Sequence, residues 1–301
     1  MSAAGEWSSP GFGLPPAAPL TGPFPRRAFL ETWWRHRGGG EALIVETTEG
    51  LAAARRLPDG SVEFMGEPDL TDYHSPLGTR AEEAVAELVA GLQTGAGFRF
   101  DSLPEEAAAV VAAGVRLAGV AARPRPHAAT VILDLPGSHR DYLESLGGKE
   151  RHELRRKRRR FAAARGPGRL VAAGREGLPV FTAMHRAASG DKGTFLTADM
   201  EGFFAALLEI EGARLDLLVG DGGPPAAAAF GFEEAAAYYL YNSAYDPGAA
   251  SLSPGAVLVD LLVQEAAEAG RARFDFLKGE EAYKLRLGGR ARPLFVVEGT
   301  R

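Results

Sequence analysis

Two stretches of the sequence hold side chains whose types and order could carry chemistry. The first, YNSAYDPGAASLSPGAVLVDLLVQEAAEAG, begins at Tyr241 and runs from a strand through a Gly/Ser/Pro loop into a helix. Pro254 and Gly255 stand in the first turn of that helix. A helix N-terminus preceded by small residues presents unpaired backbone N–H groups, a natural seat for a phosphate or pyrophosphate. Ser253 as an N-cap with Pro254 at the first helical position explains the same residues without a ligand. In the second stretch, RFDFL ends a strand at Leu277, and GEEAYKLRLG puts Tyr283 and Lys284 on a short helix beside it. A tyrosine there can hand a proton to a departing thiolate, since phenol and thiol pKa values are comparable. The plainer alternative is a half-buried ring whose hydroxyl reaches water. Asp275 alternates with Phe274 and Phe276 and points away from their shared face, either as a base near an acceptor amine or as a structural hydrogen-bond acceptor.

A third feature is electrostatic. The net charge of −5 is unevenly spread, for KERHELRRKRRR at 149–160 carries eight Lys and Arg in a protein that is otherwise acidic. Arg151, Arg155, Arg158 and Arg159 fall on one helical stripe. Such a stripe can grip a phosphorylated substrate, a nucleotide phosphate or RNA. It is also what a solvated helix face looks like when Glu150 and Glu153 pair locally. The interleaved aromatics of single-strand binders are absent.

The elements that must position these residues alternate along the chain. EALIVETTEG, LAAARRL and SVEFMGE read as strands and AEEAVAELVAGLQ as a helix; FRFDSL and ATVILDL read as strands around the helix EEAAAVVAAGV. A first lobe spans 26–136 and ends near Pro136-Gly137-Ser138. A second lobe spans 137–301 and opens with one long helix from about 138 to 164, stopped by Gly166-Pro167-Gly168. Helices near 177–189 and 198–212 follow, then the strand RLDLLVGD and a hairpin turning at Glu233-Glu234. A helix from about 254 to 270 leads to the strand RARFDFL, the short helix and a last strand, RPLFVVE. Residues 1–25, rich in Pro, Gly and Ser without periodicity, read as a flexible tail or an extended strap.

Composition narrows the chemistry. With 301 residues the chain can build two cores, and 46% hydrophobic residues make it globular. The lack of cysteine removes disulfides, thiolate metal sites and a cysteine nucleophile. Six scattered histidines give no pair at metal-ligand spacing, so no metal is expected. No apolar run approaches a membrane span and no signal-like N-terminus is present, which implies a cytoplasmic protein.

Taken together, YLESLGGKERHELRRKRRR, the FTAMHRA helix with Lys192-Gly193, the SLSPGAVL turn and above all FDFLKGEEAYKLRLGG resemble the GNAT acyltransferase superfamily. The likeness is to its two-lobed branch of CelD-like and Fem-type (FemAB-like) transferases. EPDLTDYHSPLG is similar to that family's Asp-Tyr loop, here Asp72 and Tyr73. The resemblance implies an α/β fold of tandem GNAT-like lobes, each a mixed, mostly antiparallel sheet flanked by helices, with acyl-CoA bound by the second. Tyr283 and Asp275 are then the catalytic candidates. Tyr241, Asn242, Ser253, Gly255 and Ala256 line the acetyl-CoA or acyl-CoA site, although the turn lacks the usual basic residue and has one glycine. Asp72, Tyr73, Arg151, Arg155, Lys278 and Lys284 meet the acceptor, a small-molecule or cell-envelope-precursor amine. Two other readings stand beside this N-acyltransferase. One is a Fem-type enzyme whose donor is aminoacyl-tRNA, the only case calling for nucleic acid. The other is a non-catalytic GNAT-fold module that holds an anionic partner through its basic helix.

Overall fold

Short continuous apolar runs in EALIVET and GLAAARR build an antiparallel pair, β1 (Glu41–Thr47) and β2 (Gly50–Arg56). The computed structural model describes residues 6–301 and divides into two units, residues up to Thr130 with Arg292–Arg301, and Val131–Ala291. In the first unit β3 (Val62–Phe64) pairs antiparallel to β2, and β4 (Gly97–Leu103) pairs parallel to β3. The final strand of the chain, β11 (Arg290–Thr300), lies antiparallel to β4, so this sheet closes with residues from the far end of the sequence. Three helices accompany it, α1 (Arg27–Arg37), α2 (Ala81–Ala90) and α3 (Glu105–Leu117). In α2 the residues Ala81, Ala84, Val85, Leu88 and Val89 form one buried stripe at helical spacing, packed on α3. Gly114 allows that packing, since a Cβ there would lie 2.5 Å from the Glu82 carbonyl.

Of the two readings of residues 1–25, a flexible tail or an extended strap, residues 6–25 form the strap; residues 1–5 lie outside the described residues. Short 3-10 turns at Glu6–Ser8 and Pro10–Gly13 lead into a strap bound along the first unit. Ala17 N–H donates to Pro76 O (2.9 Å), Gly78 N–H to Pro15 O (2.7 Å) and Gly11 N–H to Glu46 Oε1 (2.7 Å). Trp7, Ala18 and Phe24 are buried. Irregular, Pro-rich backbone can pack without periodicity when a few large side chains anchor it.

β5 (Arg125–Asp134) carries the chain into the second unit. The single long helix expected there is two helices, α4 (His139–Ser145) and α5 (Gly148–Arg165). Ser138 caps α4 by accepting the Asp141 N–H, and Leu146 and Gly147 are extended, with ψ of 148° at both. The Gly147-Gly148 pair, weak in helix propensity, sits at this break. Next come β6 (Arg169–Ala172), α6 (Leu178–Arg186), α7 (Asp191–Phe195), α8 (Ala198–Leu207), β7 (Ala213–Val219), β8 (Ala227–Glu233) and β9 (Ala237–Tyr245). α9 (Pro254–Glu268), β10 (Arg273–Lys278) and α10 (Ala282–Arg286) complete the unit. Strands β6, β7, β8 and β9 are successively antiparallel. α9 is the crossover that lets β10 return parallel to β9. Each unit is thus a mixed sheet flanked by helices, as expected. Among the described residues no helix is long and apolar enough to cross a membrane.

Phe24 is fully buried, so Phe24→Ala should lower unfolding stability by about 3–5 kcal/mol. Denaturant titration measures this, and a loss below ~1 kcal/mol would show that the strap is not part of the core.

Candidate functional site

The ladder between β9 and β10 is short. It covers Ala237, Tyr238 and Tyr239 against Arg273, Phe274 and Asp275, and does not extend to the remainder of either strand. Across from it, the register of β8 on β9 jumps from Phe230↔Asn242 to Gly231↔Leu240, so Tyr241 is the extra residue of a β-bulge. A bulge bends its strand and increases local twist, which here accompanies the parting of β9 from β10. The Tyr241 ring lies among Phe204, Phe230 and Phe232, with centroids 5.3–6.0 Å away, and Asn242 follows it on the bulged segment.

Past the end of β9, a 3-10 turn (Pro247–Leu252) delivers the chain to the N-terminus of α9. Ser253 holds the expected N-cap position but does not cap the helix. Its backbone is left-handed (φ 55°, ψ 49°) and its side chain caps nothing. Its Oγ instead accepts a hydrogen bond from Arg160 Nη2 of α5 (2.6 Å). The N–H groups of Ala256 and Val257 both turn back to the Ser253 carbonyl, so the Ala256 N–H is used in closing the helix. Gly255 is roomy: an added Cβ would meet only Tyr245 Cδ1, at 3.6 Å. The turn thus acquires the basic group it lacks in sequence from another helix. No spacing rule signals Arg160, because its partner lies 93 residues away.

The basic run divides by what each arginine faces. Leu154 and Phe161 are in the core. Arg158 Nη1 donates to Asp260 Oδ2 (2.9 Å) and Gln264 Oε1 (3.1 Å) of α9, and His139 Nε2 meets Asp260 Oδ1 (2.9 Å). Asp260 is fully buried, so this cluster ties α4, α5 and α9 together. Arg156 pairs with Glu153, and Arg151 donates to the Glu144 carbonyl. Arg155 and Arg159 are exposed, with no carboxylate partner among the described residues.

At the end of β10, the fully buried Asp275 is a structural acceptor: its Oδ1 receives the Leu277 N–H at 2.8 Å. Leu277 has φ 59°, a left-handed conformation costing a non-glycine residue about 1–3 kcal/mol. A hydrogen bond worth about 0.5–1.5 kcal/mol net offsets part of that. This use of its carboxylate tells against Asp275 as a general base. Lys284, expected to meet substrate, is buried, and Nζ lies 2.6 Å from Lys278 O, 3.0 Å from Gly279 O and 2.9 Å from Glu281 Oε2. An ammonium has three N–H donors, so none is left for an acceptor substrate. Lys278 is partly exposed. Tyr283 is 39% exposed, and its ring stands edge-on to Phe276 at 6.3 Å. Burial, with a smaller contribution from the negative charge of Glu281, pushes its phenol up to about 12. The phenol is therefore in its donor form at neutral pH.

The Asp-Tyr loop lies in the first unit and does not present its tyrosine. Tyr73 is fully buried, its hydroxyl donates to Thr130 Oγ1 (2.8 Å), and the Arg292 guanidinium covers its ring at 5.3 Å. Asp72 is also buried. Contact with substrate at Tyr73 is thereby excluded in this conformation. Among the described residues no group of three or more His, Asp and Glu could hold a metal ion.

The parted parallel strands, the bulge and the helix beginning beyond them are features of one known fold. Residues 148–285 match the family model described as "Acetyltransferase (GNAT) domain". FemX is similar in structure over 98% of this chain and 96% of its own, at 13% identity and a TM-score of 0.62. L-PGS from Bacillus licheniformis is similar over 92% of each chain, at 14% identity and a TM-score of 0.59. The C-terminal domain of a putative lysylphosphatidylglycerol synthetase from Agrobacterium fabrum matches over 90% of each, at 13% identity and a TM-score of 0.56. No curated protein matches the chain. Residues 148–285 are thus similar to a GNAT domain, and the chain as a whole has the two-lobed GNAT/FemAB-like fold.

Removing Asp260 leaves Arg158 and His139 without their shared carboxylate. Asp260→Ala should cost about 3 kcal/mol, the lower end for a broken buried pair because Arg158 is one-third exposed. Arg155→Ala should change stability by less than ~0.5 kcal/mol. Paired urea titrations check both, and equal effects would contradict this division of α5.

Proposed function

We propose that this protein transfers an acyl group from an acyl-CoA, acetyl-CoA or a longer homologue, to an amine acceptor. The observation that carries the reading is Arg160. Its guanidinium sits against the N-terminus of α9, the positive end of a helix dipole, with a serine hydroxyl as partner and with Nε buried and unbonded among the described residues. A cation held there is unfavourable until an anion joins it, and the pyrophosphate of coenzyme A supplies one. The seat lies just past β9, on the strand that parts from β10. A thioester running from it can enter the gap between these strands.

In this reading the amine attacks the thioester carbonyl as a neutral nucleophile. The C–N bond forms, the C–S bond breaks and the amine proton ends on sulfur. Backbone N–H groups of β9 beyond Tyr239, released from the ladder, polarise the carbonyl. Tyr283 donates its phenolic hydrogen bond to the leaving sulfur. With the phenol at about 12 against about 8.5 for a thiol, complete proton transfer is uphill, so its contribution is a hydrogen bond to the developing thiolate. The acceptor is an amine on a small molecule or a cell-envelope precursor, as the family resemblance implies.

A second reading takes aminoacyl-tRNA as donor. The similarity in fold to FemX and to the lysylphosphatidylglycerol synthetase domain favours it, as does the exposed pair Arg155 and Arg159. The net charge of −5 opposes it, since an acidic surface repels a large polyanion.

Calorimetric titration with acetyl-CoA, palmitoyl-CoA and free coenzyme A separates the two. Micromolar binding that weakens about tenfold in Arg160→Met, or about 1.4 kcal/mol, supports the acyl-CoA reading. Absence of heat with all three, together with binding of aminoacyl-tRNA that is lost in Arg155→Glu/Arg159→Glu, would replace it by the second. Tyr283→Phe should lower the transfer rate about ten- to a hundredfold with donor affinity unchanged, the low end for a positioned donor.

A further inference from the structure

α10 is five residues long, too short to hold itself as a helix. The side chain of Glu281, at its N-cap position, makes no capping bond. Its large apolar side chains do not anchor it either, for Tyr283 is 39% and Leu285 44% exposed. The one residue of this helix that is buried is Lys284, at 3% exposure. Its ammonium is matched donor for acceptor by the carbonyls of Lys278 and Gly279 and the Glu281 carboxylate. A buried charge costs several kcal/mol unless saturated in this way. The carbonyls it takes belong to the end of β10 and the turn after it, where the strand has left β9 and Leu277 is left-handed. The helix is therefore moored by a cation to the loop that ends the parted strand, and the residue next to that cation is Tyr283.

We infer that Lys284 is a positioning residue: by tying α10 to the end of β10, its ammonium fixes the Tyr283 phenol against Phe276 and the gap between the strands. Lys284 does not touch substrate. This rests on the acyl-transfer reading for its purpose but not for its test. If Lys284 were only a staple for the fold, its loss would lower stability and leave the surroundings of the phenol unchanged in the molecules that remain folded.

The sign of one measurement separates these cases. A nearby cation stabilises a phenolate, so removing Lys284 by charge alone would raise the Tyr283 pKa. Release of α10 would instead bring the phenol into water and lower it from about 12 toward the ordinary value of about 10. The protein, labelled with 13C-tyrosine and with its Tyr283 signal assigned by comparison with Tyr283→Phe, is titrated by NMR between about pH 8 and about pH 13, with circular dichroism confirming that the fold persists. Lys284→Met should move the midpoint down by at least about one pH unit. A midpoint unchanged or raised in folded Lys284→Met overturns the inference. Should that variant not fold, Lys284→Gln, which keeps two donors, is read by the same criterion. Where transfer is measurable, kcat should fall in Lys284→Met with KM for the donor unchanged. If Tyr283→Phe leaves transfer untouched, the catalytic reading of Tyr283 fails while the titration still decides whether Lys284 positions it.

Discussion

Everything at the candidate site follows from the fact that β9 and β10 pair at only three positions before they separate. A parallel strand pair that ends early leaves backbone groups without ladder partners, and buried backbone groups must find partners elsewhere. On the β10 side the protein supplies them itself. The carboxylate of Asp275 takes the Leu277 N–H, and the ammonium of Lys284 takes the two carbonyls that follow. On the β9 side the extra residue at Tyr241 and the turn into α9 carry the chain away from the gap. The parting is thus maintained by two buried polar side chains, a carboxyl and an ammonium, each used on backbone.

The second unit also concentrates arginine where helices meet. Arg158 and Arg160 leave α5 on different sides and both reach α9, one to the buried Asp260 and the other to the start of the helix. The first contact neutralises a buried carboxylate and stabilises the pairing of the helices. The second places a cation beside the positive end of a helix, with a serine hydroxyl as its hydrogen-bond partner. Two residues apart in sequence, these arginines reach the middle and the start of the same helix.

How far the sequence shows this depends on whether a feature is local. The helix beginning at Pro254, the strand ending at Leu277 and the short helix carrying Tyr283 were readable because hydrophobic period and turn residues are short-range signals. Arg160 was not, since its significance arises from a contact across 93 positions. Lys284 was misread for a physical reason: a lysine beside a tyrosine on a polar helix reads as exposed, and the carbonyls that make its burial tolerable belong to a loop whose path is set by the left-handed Leu277. Asp275 could be read either way from its alternation with two phenylalanines, and its short bond to Leu277 N–H favours the structural role. Tyr73 looked available on a motif and proved covered by Arg292, 219 positions later in the chain. Before residue 26 a flexible tail and an extended strap could not be told apart in the sequence, because scattered anchors such as Trp7 and Phe24 leave no periodic trace.

The placement of β11 bears on how the chain is made. Its partner β4 is translated nearly two hundred residues earlier. During synthesis β4 must wait as an open sheet edge while the whole second unit emerges, and that unit can close first because nearly all its elements are contiguous. The unit begun first is finished last. Until its closing strand arrives, β4 is the place where the growing chain is most open to pairing with the wrong strand.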